Sequence, residues 1–181
     1  MTQLPLRSQF KFATVVLLAT VAVLMVVLFL HSRSNLLDQR EELLHEQVEI
    51  AAGILEHYQA EEAAGRLPRA EAQARAATAL SAMKHENAYL FGYDGDGIYV
   101  LHGANHDLIG KPIKGTRDVT GLDLYAAMEK AVAGSVNGIE HAGFVEYVWK
   151  RPGSELTEPK LSYIKRFVPW NWTLGSGQYV G

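Results

Sequence analysis

The chain has 181 residues, of which 48% are hydrophobic and 20% charged, and its 17 Lys and Arg residues against 20 Asp and Glu residues give a net charge of −3. This balance provides no basic field for nucleic acid, and the apolar content excludes a disordered chain. Because the chain has no cysteine, disulfide scaffolds, thiolate metal sites and cysteine nucleophiles are excluded as well.

An apolar segment lies near the N-terminus. Residues 12–30 read FATVVLLATVAVLMVVLFL, in which Thr14 and Thr20 are the only polar residues. At about 1.5 Å per residue, a helix of this length matches a hydrocarbon thickness of roughly 30 Å. The apolar core of a cleaved signal peptide is shorter, about 7–15 residues. We therefore predict an uncleaved transmembrane helix over residues 12–30, with a fully buried soluble helix as the alternative.

The charges that flank this segment predict its orientation. Arg7 and Lys11 precede it without an acidic residue, whereas basic and acidic side chains are mixed after it. The positive-inside rule then assigns residues 1–11 to the cytoplasm and residues 31–181 to the outside of the membrane. The predicted protein is a single-pass membrane protein with an extracytoplasmic C-terminal domain.

Two helices are predicted after the apolar segment. Residues 34–64 contain no proline and carry one apolar stripe, which packs either on its own domain or on a second copy in a homodimer. Gly65 and Pro68 end this helix, and an alanine-rich helix follows over residues 69–84. The stripe consists of Leu37, Leu44, Val48, Ala51, Leu55 and Tyr58.

The pattern then changes to that of strands. Alternating aromatic residues over 89–93, a turn of Asp94-Gly-Asp-Gly97, and a return over 98–102 predict a hairpin. After a short helix over residues 122–133, three further strands are predicted over residues 143–150, 160–168 and 172–180. The predicted fold is α+β, with a five-stranded antiparallel sheet that has one face available for a pocket.

No catalytic or metal-binding pattern is present. His102 and His106 are four residues apart, but Gly103 places them in a loop rather than on one helix face. The Asp94 turn lacks the later ligands of a calcium loop, and nothing resembles a nucleophile elbow or a zincin helix. We therefore predict no metal, no cofactor, no nucleic-acid partner and no enzymatic activity.

One group of residues suits the recognition of a small acid. Lys160 stands two residues before Ser162, so both side chains face one side of a strand. If that side lines a pocket, the phenols of Tyr89 and Tyr147 and the imidazole of His102 can meet them there. An ammonium with several hydrogen-bond donors in an apolar cleft matches a small carboxylate.

Several motifs of the last third carry a resemblance to a known family. The segments GFVEYVW (143–149), PKLSY (159–163), FVPWNW (167–172) and GSGQYV (175–180) resemble the single Cache domain of the second type. That domain is the extracytoplasmic sensor of many bacterial chemoreceptors and sensor kinases, and the resemblance spans residues 36–180. It implies that the membrane is the inner membrane and that residues 31–181 are periplasmic or extracellular.

The resemblance implies a PAS-like sheet and a pocket for short acids of the acetate, propionate, pyruvate or lactate class. We expect Lys160 to neutralise the carboxylate, while His102, Tyr89, Tyr147 and Ser162 donate hydrogen bonds to it. Phe91 then covers the aliphatic end. The predicted function is the ligand-binding sensor domain of a chemoreceptor; the alternatives are a membrane-tethered dimerisation module without ligand and the sensor of a histidine kinase.

Overall fold

The computed structural model describes the backbone of residues 6–85, 88–136 and 138–180, and the side chains of residues 15–31, 38–83, 88–136 and 138–180. Helix α1 spans Leu6–Ala63. The chain divides into two compact units, Met1–Arg40 and Glu41–Gly181.

The first unit contains the N-terminal part of α1. Its apolar side chains are exposed from Val15 to Leu30, and Thr20 Oγ1 donates to the Leu17 carbonyl at 2.8 Å. Among the described residues, no helix is long and apolar enough to meet the requirements for crossing a membrane. Within the predicted span over 12–30, the side chains of residues 12–14 lie outside the described residues. Residues 1–5 lie outside them in both backbone and side chain.

The helices of the second unit end where turn residues require it. Helix α1 stops at Ala63 and is followed by Gly65, which has a φ of +71° that favours glycine. Helix α2 spans Arg69–Ala82, directly after Pro68. The prediction that α2 reaches residue 84 is wrong, because Lys84–His85 form the short strand β1, which pairs with the next strand.

The main sheet contains the five strands predicted from the sequence. They are β2 (Ala88–Tyr93), β3 (Tyr99–His102), β6 (Ala142–Lys150), β7 (Thr157–Phe167) and β8 (Trp172–Tyr179). The spatial order is β3-β2-β8-β7-β6 and all pairs are antiparallel, with β1 beside β3 on the same edge of β2. Strand β7 begins three residues before the predicted start, so Lys160 lies inside the strand.

Shorter elements connect these strands. The Asp94 carboxylate accepts the N–H groups of Asp96 and Ile98, at 3.0 and 2.9 Å, and closes the β2–β3 hairpin. Helix α3 spans Leu124–Val132. Strands β4 (Ser135–Val136) and β5 (Ile139–Glu140) form a separate pair. Short 3₁₀ helices cover His106–Leu108 and Val168–Trp170.

The two faces of the sheet have different partners. One face packs on helices α1 and α2 through an apolar cluster that joins the helix stripe to aromatic residues of the sheet, including Leu44, Val48, Leu55, Tyr163, Trp170 and Trp172. The other face is covered by α3 and carries the second cluster, which includes Tyr89, Phe91, Tyr147 and Ile164. Successive residues of a strand alternate between the faces, so Tyr163 contacts the α1 side while Ser162 lies on the opposite side.

Candidate ligand-binding site

The face of the sheet opposite α1 has a buried lysine at its centre. Lys160 has no exposed surface, and its cross-strand neighbours are Tyr147 on β6 and Tyr179 on β8. Its Nζ lies 3.9 Å from the centre of the Tyr89 ring, 5.3 Å from that of Tyr179, 5.7 Å from that of Phe91 and 6.0 Å from that of Tyr147. These four rings form the aromatic cage of Lys160.

The cage leaves the lysine without a polar partner. Among the described residues, no atom forms a hydrogen bond with Lys160 Nζ. Burial lowers the pKa of Lys160 from the ordinary 10.5 to about 7, because the charged form loses its hydration. Attraction to the ring faces favours the ammonium, but an anion at this position would favour it far more.

A pair of hydroxyl groups lies beside the cage. Tyr147 Oη and Ser162 Oγ are 3.0 Å apart in a buried hydrogen bond in which either atom can donate. Burial raises the pKa of Tyr147 and of Tyr89 far above the ordinary value for a phenol. Both phenols therefore keep their protons and remain hydrogen-bond donors.

The site depends on two glycines of β8 that face it. A Cβ at Gly177 would lie 2.1 Å from Ser162 Oγ and 2.5 Å from Lys160 Cε. A Cβ at Gly175 would lie 2.4 Å from Phe91 Cζ. The glycines thus provide the space that Lys160, Ser162 and Phe91 occupy, which explains the GSG segment of the sequence.

His102 is held as a neutral hydrogen-bond donor. Its Nδ1 accepts the backbone N–H of Asn105 at 3.0 Å, so the proton of the neutral ring belongs on Nε2. Burial, followed by repulsion from Lys160, lowers the pKa of His102 to about 4. Its ring centre lies 5.0 Å from that of Tyr89 and 5.7 Å from that of Tyr99.

A cavity of about 410 Å³ lies outside the cage, and we call it the outer chamber. It is lined by Tyr89 and His102, by three residues of the loop 104–108, and by residues 149–155 at the β6–β7 turn. The other members of the predicted site do not contribute to its lining. Tyr89 and His102 therefore belong both to the surroundings of Lys160 and to the wall of the chamber.

All six residues predicted from the sequence meet at this site, namely Tyr89, Phe91, His102, Tyr147, Lys160 and Ser162. Sequence reasoning missed Tyr179, which completes the cage and donates from Oη to the Lys150 carbonyl at 2.7 Å. Its strand was predicted, but its position opposite Lys160 follows from the β7–β8 register. Among the described residues, no group of side chains is arranged to hold a metal ion.

The domain thus combines helices with an antiparallel sheet, one face of which carries a caged cation without a hydrogen-bond partner among the described residues. Residues 20–181 match the family model described as the Cache domain, and the chain therefore belongs to the Cache domain family. The resemblance noted in the sequence is confirmed.

The relatives are chemoreceptors. The chain is 34% identical over 167 residues to the methyl-accepting chemotaxis protein McpP of Pseudomonas putida, covering 92% of this chain and 30% of McpP. It is 32% identical over 148 residues to the methyl-accepting chemotaxis protein CtpM of Pseudomonas aeruginosa, covering 80% of this chain and 25% of CtpM. The chain thus spans less than a third of the length of these curated relatives.

Two solved structures share the fold. One gives the structural basis for carboxylic acid recognition by a Cache chemosensory domain; it has a TM-score of 0.73 and 34% identity, and the match covers 82% of this chain and 98% of that chain. The other is the periplasmic sensor domain of a chemotaxis protein, with a TM-score of 0.71, 33% identity, and coverage of 81% and 98%. The chain is therefore a Cache sensor domain of the kind found in chemotaxis receptors, a class of binding domains rather than enzymes.

Proposed function

We propose that this domain binds small carboxylic acids of the acetate, propionate, pyruvate or lactate class on the outside of the cytoplasmic membrane and signals across it as part of a chemoreceptor. The observation that carries the proposal is Lys160, a fully buried cation without a hydrogen-bond partner among the described residues. An uncompensated charge in an apolar interior costs several kcal/mol. A carboxylate that pairs with it recovers this energy.

The side chains around Lys160 suggest how the acid is held. The carboxylate pairs with the ammonium and accepts hydrogen bonds from Tyr89, from Nε2 of His102, and from whichever of Tyr147 and Ser162 does not donate to the other. Charge-assisted hydrogen bonds of this kind are about twice as strong as neutral ones. The apolar end of the acid contacts Phe91, whose ring is buried against Gly175.

Contacts on the opposite face of the sheet suggest how the signal leaves the site. Ser176, between the two glycines of β8, donates from Oγ to Gln47 Oε1 of α1 at 2.8 Å. On β7, Tyr163 packs its ring 5.2 Å from that of His45, also on α1. We infer that ligand-dependent movement of β7 and β8 shifts α1, since a signal requires two states of different ligand affinity.

The proposal includes attachment to the inner membrane and a homodimer. Residues 12–30 would span the membrane, with residues 1–11 in the cytoplasm. Two apolar residues of α1 that the domain leaves exposed, Leu43 at 49% and Ile50 at 59%, are one heptad apart. Near them, a Cβ at Gly53 would meet no atom within 4 Å, so a second helix can approach closely there.

Calorimetry and thermal unfolding of the full chain in detergent test the ligand. Each acid is compared with propionamide, which has the shape of propionate without its charge. At a hundredfold excess over Kd, binding should stabilise the domain by about 2.7 kcal/mol. Lys160→Met should abolish the response, whereas Lys130→Met, at an exposed position of α3, should retain it.

The outcome also separates the alternatives. If none of the four acids binds, the proposal is wrong and a tethered dimerisation module without ligand explains the fold better. Signalling is tested by joining residues 1–180 to the cytoplasmic part of a chemoreceptor and, separately, to that of a histidine kinase. Acid-dependent output from the first fusion alone would support the chemoreceptor.

A further inference from the structure

The cations of the outer chamber already have carboxylate partners, unlike the lysine of the cage. Arg151 donates from Nε and Nη2 to Oε2 of Glu158, at 3.1 and 2.7 Å. Lys150 Nζ lies 2.6 Å from a carboxylate oxygen of Glu155. Arg151, Lys150 and Glu155 line the chamber, so the charges on its wall are compensated.

Arg151 is close enough to the cage to meet a ligand that extends from it. Its guanidinium lies 5.2 Å from the centre of the Tyr179 ring, and Lys160 Nζ lies 5.3 Å from the same point. The distance between the Arg151 guanidinium and Lys160 Nζ is therefore at most the sum of these two distances. A four-carbon diacid with a hydrogen bond at each end is long enough to bridge such a gap.

Glu158 lies at the far end of that path. It is the cross-strand partner of Trp149, which lines the chamber, and partners directly opposite each other share one face of a sheet. A ligand carboxylate that approached Arg151 would meet the Glu158 carboxylate at the same guanidinium. If the ligand carboxylate displaced Glu158 from Arg151, the Glu158 carboxylate would lose its partner and remain close to another negative charge.

We propose that Glu158 is a specificity-determining residue that makes the domain select monocarboxylic over dicarboxylic acids. This inference rests on the proposed function, because it assumes that the first carboxylate binds at Lys160. The cage supplies one uncompensated positive charge for one carboxylate. The second cation, Arg151, already pairs with Glu158 and is therefore not available to a second ligand carboxylate. Discrimination by an unfavourable contact with the wrong ligand is a common source of specificity.

Butyrate and succinate test the proposal, because both have four carbons and they differ in the second carboxylate. In the full chain, calorimetry should show butyrate bound at least tenfold more tightly than succinate. Glu158→Gln keeps the shape of the side chain and removes its charge. It should raise the affinity for succinate about tenfold or more and change that for butyrate less than twofold.

Two further variants serve as controls. Glu155→Gln should change the ratio of affinities less than threefold, because the Glu155 side chain is 93% exposed and solvent screens its charge. The double variant Arg151→Gln with Glu158→Gln should lose the gain in succinate affinity, since it removes the cation that receives the second carboxylate. This double variant also separates the loss of a charge from a general loosening of the turn.

The results distinguish the inference from the function on which it rests. If butyrate binds but Glu158→Gln leaves the ratio of butyrate affinity to succinate affinity unchanged, the role of Glu158 is overturned and the proposed function stands. Equal affinity of the wild-type domain for the two acids would do the same. If neither acid bound while one of the four acids of the proposed function did, the inference alone would be wrong; if none of the six acids bound, both would be wrong.

Discussion

The ammonium of Lys160 lies 3.9 Å from the centre of the Tyr89 ring, and the side chain has neither exposed surface nor a hydrogen-bond partner among the described residues. The strands on either side add the rings of Tyr147 and Tyr179 in register with the lysine. Ring faces attract a cation, yet they compensate its lost hydration only in part. The free domain therefore contains a fully buried amine whose charged form the proposed carboxylate ligand would stabilise.

Replacing this lysine should make the free domain more stable. Lys160→Met should raise the free energy of unfolding at pH 7 by about 2–5 kcal/mol, since an apolar side chain of similar length removes the cost of burying the amine. Chemical denaturation measures the difference. An equal or lower stability of the variant would mean that the amine is solvated in the folded protein.

The same group should give the wild type a characteristic pH dependence of stability. Because the pKa of Lys160 falls from 10.5 in the unfolded chain to about 7 in the folded domain, the unfolded state binds more protons between those values. The free energy of unfolding therefore rises with pH across that window, relative to Lys160→Met. A pH series of denaturation curves for both proteins should show this difference shrinking towards pH 10.

Acid binding should be coupled to proton uptake at Lys160. A carboxylate favours the ammonium, whereas the free site is half neutral near pH 7. Affinity should therefore fall above pH 7, approaching tenfold per pH unit, and calorimetry at pH 8 in buffers of different ionisation enthalpy should detect close to one proton per ligand. Lys130→Met should keep this behaviour. A Kd that stays constant from pH 6.5 to 8.5 would contradict the assigned charge pair.

His102 should contribute to the loss of stability in acid. Its pKa is lowered from 6.5 to about 4 in the folded domain, so the unfolded state binds more protons as the pH falls between these values. The free energy of unfolding should decrease over that range. His102→Gln removes the titrating ring and should flatten this part of the profile. Unaltered acid sensitivity in the variant would assign the effect to other groups.

The glycine opposite Ser162 should be intolerant of any side chain. In Gly177→Ala the new methyl group would overlap Ser162 Oγ and Lys160 Cε, so both must move. We expect a loss of about 1–3 kcal/mol in unfolding free energy, together with weaker acid binding. Gly134→Ala is the matched control, because the nearest atom to its Cβ is a carbonyl oxygen at 3.5 Å, and it should change stability by less than about 0.5 kcal/mol.

Much of the fold could be predicted because each strand carries its own local signal. The alternation of Tyr89, Phe91 and Tyr93 and the two-residue spacing of Lys160 and Ser162 are properties of single strands, and they assign side chains to faces without knowledge of the neighbours. For the same reason, the six predicted site residues could be proposed from spacing and from a family resemblance.

The remainder depends on register, which single strands do not encode. Tyr179 faces Lys160 because β7 and β8 are joined through Val168–Trp170 and Asn171, which has a φ of +52°. The sequence pattern indicates only an interruption at this point. The pairing of Arg151 with Glu158 likewise follows from the β6–β7 turn. Residues 84–85 form a strand rather than the end of α2 because Lys84 pairs with Tyr89 of β2.

Only the backbone of strand β8 lies between the candidate ligand site and helix α1. Gly175 and Gly177 make room on one side, and Ser176 between them holds Gln47 on the other. Because glycine has no side chain that could absorb a displacement, the movement of Phe91 or Lys160 that we propose would act directly on the peptide units that carry Ser176. The proposed acid would then be separated from α1 by about one peptide plane, so these three residues would couple the two.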